Sequence, residues 1–371
     1  MLTLQFATVF AQSQQIDTIN EVTYQFNQLS TERGLIDNRI KDIIQDRAGF
    51  IWLANDSGLV RYDGHRYQNY FHNVKIPTSL SSNEVTTLLE DSKGRLWVGT
   101  SDGLNRQLGH SIDFNRYFSV PESAQTLADN YIVDIAEDQQ GRLWVATRTA
   151  VNLYDERTGT FARYFFYDSN SGLNAQIDQI VAVGEEIYVS SSSGLFRYLS
   201  DDGIFYRYGT KDGLPNDLYT VTTMSQIDND NLLVAVSNGG LFKLAADTGQ
   251  FAPLTSINSQ LEGILETLEI SALYIHPETQ QIWLGTVKHG LYILNQDMTD
   301  LIKVLSSNAD EFSRFEQAGI QGIFSDDSGL VWIYTRQAGI NQWSSHTLGI
   351  EHYGSRSSFT DGGQLRTYIW Y

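Results

Sequence analysis

One phrase of sixteen residues is written over and over in this chain. DSKGRLWVGTSDGLNR at 91–106 returns as DRAGFIWLANDSGLVR at 46–61 and as DQQGRLWVATRTAVNL at 138–153. A chain that repeats at a fixed period builds one small unit many times, and each unit buries its faces only against its neighbours. Aligning the chain on the tryptophan of the phrase gives Trp52, Trp97, Trp144, Tyr188, Val234, Trp283 and Trp332, spaced by 45, 47, 44, 46, 49 and 49 residues. Six or seven residues after each comes a Gly-Leu-like pair, from Gly58-Leu59 and Gly103-Leu104 through Gly290-Leu291 to Gly339-Ile340. Six residues before the tryptophan, four of the seven units carry an acid: Asp46, Asp91, Asp138 and Asp326.

Each unit reads as four short strands. In the second unit, Val85–Glu90 is an apolar run, Asp91-Ser92-Lys93-Gly94 is a turn, and Leu96–Thr100 is the next strand. A second turn at Ser101-Asp102-Gly103 leads to strands over Leu104–Gln107 and Phe114–Phe118. No window sustains apolar spacing at the helical period, and turn signals separate runs of four to seven residues. The first two strands of a unit are apolar on both faces, which suits a sheet sandwiched between neighbouring sheets. The expected fold is therefore all-β: a seven-bladed β-propeller of four-stranded antiparallel blades. Tyr24–Leu29 resembles the fourth strands Phe161–Phe165 and Phe205–Tyr208, so it is expected to supply the outer strand of the last blade and close the ring.

Composition narrows the partners. The formal charge of −19 and pI near 4.6 repel phosphate backbones and anionic lipid heads, so neither nucleic acid nor direct membrane contact is expected. The absence of cysteine excludes disulfides, thiolate metal sites and cysteine nucleophiles. The opening MLTLQFATVFAQSQQ is apolar and then polar, and residues 1–15 read as an export signal or an N-terminal extension. The propeller is expected over 22–356, with 357–371 as the truncated start of a further unit.

The pattern N-x-[hydrophobic]…D-x-x-G-x-L-W-[IV]-G-T-x-x-G-L-x-R-Y resembles the two-component regulator propeller repeat. FNQLSTERGLIDNRIKDIIQDRAGFIWLANDSGLVRYDG (26–64) resembles the opening repeat of that family, and SLSSNEVTTLLEDSKGRLWVGTSDGLNR resembles its consensus. Units four and five depart from it, with Tyr188 and Val234 for tryptophan and no acid at the turn. The resemblance implies a periplasmic sensor region of a membrane-anchored signalling protein, anchored through a C-terminal region outside this chain. It further implies a histidine kinase or diguanylate cyclase output, a small-molecule ligand such as an oligosaccharide, and a second propeller or homodimer partner.

Motifs that carry chemistry have bland explanations here. The D-x-x-G-x-[LI]-W turns are similar to the Asp-box hairpins of sialidases, where the carboxylate caps turn amides and glycine takes a positive φ. Arg61, Arg106 and Arg197 recur at one third-strand position and so belong to the repeat. His65, His72, His110, His276, His289, His346 and His352 show no metal-ligand spacing, and His276 occupies a turn-acid slot. Asp228-Asn229-Asp230-Asn231 lacks the glycine and distant glutamate of a calcium loop and reads as a hairpin turn. No catalytic residue, metal or cofactor is expected. The function expected is a non-catalytic extracytoplasmic ligand sensor; the alternatives are a propeller enzyme (a lyase or glycosidase) and a protein–protein scaffold.

What the repeat leaves free are the loops that enter each inner strand, which converge at the mouth of a propeller's channel. There lie Asn38-Arg39, Asn83-Glu84, Asn130-Tyr131, Asn216-Asp217 and Leu268-Glu269. The recurring asparagines read as turn caps. The residues beside them differ blade by blade, so Arg39, Glu84, Tyr131, Asp217 and Glu269 are the candidate ligand-binding residues.

Overall fold

A computed structural model of the chain describes residues 19–109, 111–168, 173–200, 202–214, 219–237, 239–254, 259–306 and 319–344. They form seven sheets in a ring, and the second follows the sequence reading closely: Val85–Glu90, Leu96–Thr100, Gly103–Gln107 and Phe114–Tyr117, each antiparallel to the next. The expected seven-bladed propeller is the observed fold. The expected signal at 1–15 and the expected further unit at 357–371 lie outside the described residues.

The molecule has no single core. Each apolar cluster straddles two neighbouring blades: Trp52, Ala54 and Leu59 of blade 1 pack on Val85, Leu88 and Val98 of blade 2. Trp97 and Leu104 pack in turn on Ile132, Ile135 and Val145 of blade 3. The last cluster joins Trp332 and Ile340 of blade 7 to Ile40, Ile43 and Leu53 of blade 1, so the ring is closed by packing as well as by pairing. Second strands are buried on both faces for this reason, and Trp97 and Trp144 are fully buried as expected.

Closure comes from the N-terminal segment, with one correction. Asn27–Leu29 pairs antiparallel with Ile340–Trp343 and is the outer strand of blade 7. Tyr24 is not part of that strand. It ends Asn20–Tyr24, a fifth strand that runs parallel to Leu301–Ser306 on the outside of blade 6. The Tyr24 ring stacks on Trp343 at 4.9 Å, so ten residues of chain fasten the last two blades together.

Two further readings are corrected. In blade 5 the tryptophan position belongs to Leu233, not Val234. Ala235 pairs with Thr223 as Gly99 pairs with Thr87, and Leu233 faces blade 6 as Trp97 faces blade 3. Without an aromatic residue or turn acid to fix the register, an alignment by spacing slips by one residue, and a slip of one exchanges the two faces of a strand. A nine-residue α-helix, Ser259–Thr267, also lies between blades 5 and 6, with Leu261 and Leu265 buried against both.

Candidate functional site

Inner strands create the site through a shared irregularity. In each blade the register with the second strand shifts just after the strand begins, between Ile40 and Asp42 in blade 1 and between Ile320 and Gly322 in blade 7. Such a bulge sets two consecutive residues against one partner. The result is two stacked rings around a channel. One comprises Lys41, Thr86, Val133 and Asp178 from blades 1–4 with Thr222, Ser271 and Gln321 from blades 5–7. The other comprises Asp42, Thr87, Asp134, Gln179 and Thr223, and the cavity they enclose has a volume of about 470 Å³.

The partner opposite each bulge is small, because neighbouring inner strands approach closely there. It is Ala54, Gly99, Ala146, Ser190, Ala235 and Gly285 in blades 1–6. A Cβ on Gly99 would lie 2.6 Å from Thr87 and 2.7 Å from Ile132. Blade 7 breaks the rule with Tyr334, and its bulge residue compensates by being Gly322: a Cβ there would sit 2.0 Å from the Tyr334 hydroxyl. The phenol thus passes through the space of the missing side chain and lines the channel.

Polar groups of both rings tie blades together. Asp42 Oδ2 accepts the Leu88 N–H of blade 2 at 2.8 Å, and Asp134 Oδ2 accepts the Ile180 N–H of blade 4 at 3.0 Å. Gln179 exchanges two bonds with the Met224 backbone of blade 5, at 2.8 and 3.1 Å. Ser271 donates to the Ile320 carbonyl of blade 7 at 2.6 Å. Thr87 stands between the two acids, 3.3 Å from Asp42 Oδ2 and 3.2 Å from Asp134 Oδ1. Burial pushes the Asp42 carboxyl up to about 6 against the opposing pull of the Leu88 N–H. Burial also pushes Asp134 up to about 7, opposed by the Ile180 N–H and aided by the charge of Asp42.

Above this level, the structure brings three of the five sequence-predicted residues together around Lys41. The Lys41 ammonium pairs with Asp56 at 2.7 Å and Glu84 at 2.8 Å, and Arg39 pairs with Asp56 at 2.9 Å. Tyr131 lines the channel with the Arg148 guanidinium over its ring at 3.6 Å. Glu269 stands apart, paired with Lys288 at 3.4 Å. Asp217 lies outside the described residues. Three of the asparagines are structural: Asn83 and Asn130 accept the backbone N–H groups of His72 and Ser119, at 2.6 and 2.7 Å, and Asn38 accepts that of Thr31 at 2.8 Å; Asn216 lies outside the described residues.

Sequence reasoning missed Lys41, Asp42, Asp134 and Tyr334. The signals were present: an acid inside an otherwise apolar inner strand in RIKDIIQ and YIVDIAE, and WIYT where other units have WLAN, WVGT, WVAT or WLGT.

The turn acids do more than cap. Asp91 Oδ1 accepts the N–H groups of Lys93 and Arg95, and its Oδ2 accepts the Trp97 indole N–H at 2.7 Å. The same clamp holds Trp52, Trp144 and Trp332 through Asp46, Asp138 and Asp326. Arg61 and Arg106 lie over Trp52 and Trp97 as their cross-strand partners, whereas Arg197 pairs with Glu186 at 2.9 Å. Asp228 caps the Asp230 N–H and binds the Asn231 amide in a hairpin turn. Among the described residues, no histidine lines the channel and no three His, Cys, Asp or Glu are grouped to hold a metal ion.

Residues 34–57, 79–102 and 126–149 match the two component regulator propeller family. Three units of this chain are two component regulator propeller repeats. Each matched segment ends two residues past the second strand of its blade, so the regulator propeller repeat includes the clamp of acid, turn and tryptophan. The ring is similar to the extracellular domain assigned to the hybrid two component system BT3049 of B. thetaiotaomicron, at 23% identity and a TM-score of 0.69, over 86% of this chain and 42% of that one. The extracellular domain assigned to the BT4673 system of the same organism matches at 20% identity and 0.65, over 86% and 40%. This chain therefore spans less than half the length of those domains. Virginiamycin B lyase from Staphylococcus aureus shares the architecture at 12% identity and 0.61, over 86% and 98%. At such identities the likeness extends to the fold alone. No curated protein matches the chain in sequence. Among the described residues no helix is long and apolar enough to cross a membrane.

Proposed function

We propose that this regulator propeller is a non-catalytic, extracytoplasmic ligand-sensing domain of a membrane-anchored signal-transduction protein, with the channel and its mouth as the sensing surface. The observation that carries the reading is a contrast. Packing between blades repeats the same clamp in four of the seven, whereas the channel wall changes from blade to blade: Lys41, Thr86, Val133 and Asp178 share one structural position. A concave wall whose polar groups are free of packing constraint can orient a small molecule. The two component regulator repeats, together with the likeness to extracellular domains of two component systems, support a place outside the cytoplasm. A kinase or cyclase output elsewhere in the protein completes this reading. The test replaces Glu84 and Tyr131 together by alanine in the full-length protein and reads its output in response to ligand. Loss of response at normal expression supports the reading, and a wild-type response refutes it.

The loops entering the inner strands of blades 2 and 3 also expose Phe71, Val74, Ile76, Phe118 and Val120. This observation favours a second role for the same face, as the seat of a partner propeller or a second copy. Sedimentation of the chain, with and without Val74→Glu, tests it: a monomer in both cases removes the second copy from consideration.

A further inference from the structure

Six titratable groups face the channel: Lys41, Asp42, Tyr131, Asp134, Asp178 and Tyr334. Their charges do not balance. Lys41 pairs with Asp56 and Glu84 at the mouth, the Arg148 guanidinium lies over the Tyr131 ring, and among the described residues no salt bridge reaches Asp42, Asp134 or Asp178.

The inner pair is also short of hydrogen-bond donors. Asp42 and Asp134 are held rigidly, since both oxygens of each carboxylate accept a backbone N–H. A carboxylate has further lone pairs to satisfy. Thr87 lies within reach of both acids, but its hydroxyl has one proton and can donate to one of them at a time. The Tyr334 hydroxyl is a separate observation. Its residue is 9% exposed, its oxygen is directed over Gly322 into the channel, and it makes no hydrogen bond among the described residues. It is close enough to feel the charge of both acids. The Thr86 hydroxyl on the channel wall is also unpartnered.

An ammonium group supplies what is missing: one positive charge and three N–H donors in a compact volume. Among the described residues, no three His, Cys, Asp or Glu are grouped to hold a metal ion there instead. We propose that the channel binds the primary ammonium group of a small cationic ligand between Asp42, Asp134 and the Tyr334 hydroxyl. The proposal rests on the sensing role of the channel and names the chemical class of its ligand.

The probes are 1,4-diaminobutane and its neutral isostere 1,4-butanediol, titrated calorimetrically into the full chain. At pH 8, where both acids are ionised, the diamine should bind at least about 10-fold more tightly than the diol. At pH 5, below the carboxyl values of about 6 and about 7, that advantage should vanish. Tyr334→Phe keeps the ring and removes the unpartnered hydroxyl, so it should weaken diamine binding several-fold without lowering the melting temperature. Asp134→Asn should weaken it further. Equal affinity for diamine and diol, no binding of either, or a diamine affinity indifferent to pH and to Tyr334→Phe overturns the proposal. The diol binding alone would leave the sensing role intact and exclude the cationic ligand.

Discussion

The clamp on the repeated tryptophans can be measured at Asp91. This residue is 1% exposed, and Asp91→Ala removes four bonds at once. Trp97 loses its indole acceptor at 2.7 Å, the turn amides of Lys93 and Arg95 lose theirs, and Arg95 loses a paired carboxylate at 2.6 Å. An indole N–H left unsatisfied in the interior costs about 1–3 kcal/mol. The uncapped turn adds about 1 kcal/mol. The partly exposed Arg95 pair adds little. Urea unfolding should therefore report a loss of about 3 kcal/mol. The decisive quantity is coupling. Trp97→Phe deletes the same N–H from the other side, so in the double variant the orphan no longer exists. The two losses should then fall short of additivity by about 1–2 kcal/mol. Additive losses would mean that the indole bond contributes nothing, and that the acid is retained for the turn alone.

Blade 6 supplies the converse: His276 stands where the acid should be, and the Trp283 indole N–H is buried without a partner among the described residues. His276→Asp should raise stability by about 1 kcal/mol, and no rise in the urea midpoint would refute the equivalence of the two positions. Gly322→Ala should destabilise by at least about 2 kcal/mol by striking the Tyr334 hydroxyl, and Tyr334→Ala in the same chain should restore part of the loss; failure of that rescue would place the clash elsewhere. Removing residues 20–29 should lower the melting temperature sharply, because it strips the outer strand from blade 7 and unseats the buried Phe26 and Leu29. The last expectation concerns pH. Asp42 and Asp134 hold their protons more tightly when folded than unfolded, so their contribution to stability is full below about pH 4 and is lost as pH rises through about 6 and about 7. Channel water screens part of this, which leaves a loss of about 2 kcal/mol between pH 5 and pH 8. Asp42→Asn should flatten that slope, and an unchanged slope would show that the carboxyl titrates elsewhere.

Blades were legible in the sequence because packing between them demands the same residues each time. A tryptophan six residues after an aspartate fixes a turn and an inter-blade contact together, so Trp52, Trp97 and Trp144 could be aligned on sight. In blade 5, which has neither an aromatic residue nor a turn acid there, spacing places Val234 where the structure places Leu233, since a run such as NLLVAV fills a doubly buried strand equally well in either register. The helix Ser259–Thr267 escaped for a related reason. Two leucines four apart bury it between blades, and nine residues are too few to stand out as a periodic pattern.

The channel was harder to read because its residues answer to no neighbour. A side chain facing a cavity meets no opposing surface, so lysine, threonine, valine and aspartate are equally compatible with the same backbone, and no spacing rule singles them out. Looking for variation at loop positions found the mouth, where Arg39, Glu84 and Tyr131 gather about Lys41, and stopped three residues short of the acids. The route inward lay in the exceptions. Six blades place alanine, glycine or serine opposite the bulge because neighbouring inner strands leave no room for more. A tyrosine at the seventh position, matched by a glycine across from it, breaks the packing rule in one place and repairs it in another. Two coupled departures of that kind preserve the blade and change what the channel presents, so the hydroxyl of Tyr334 is where the repeat yields to the cavity.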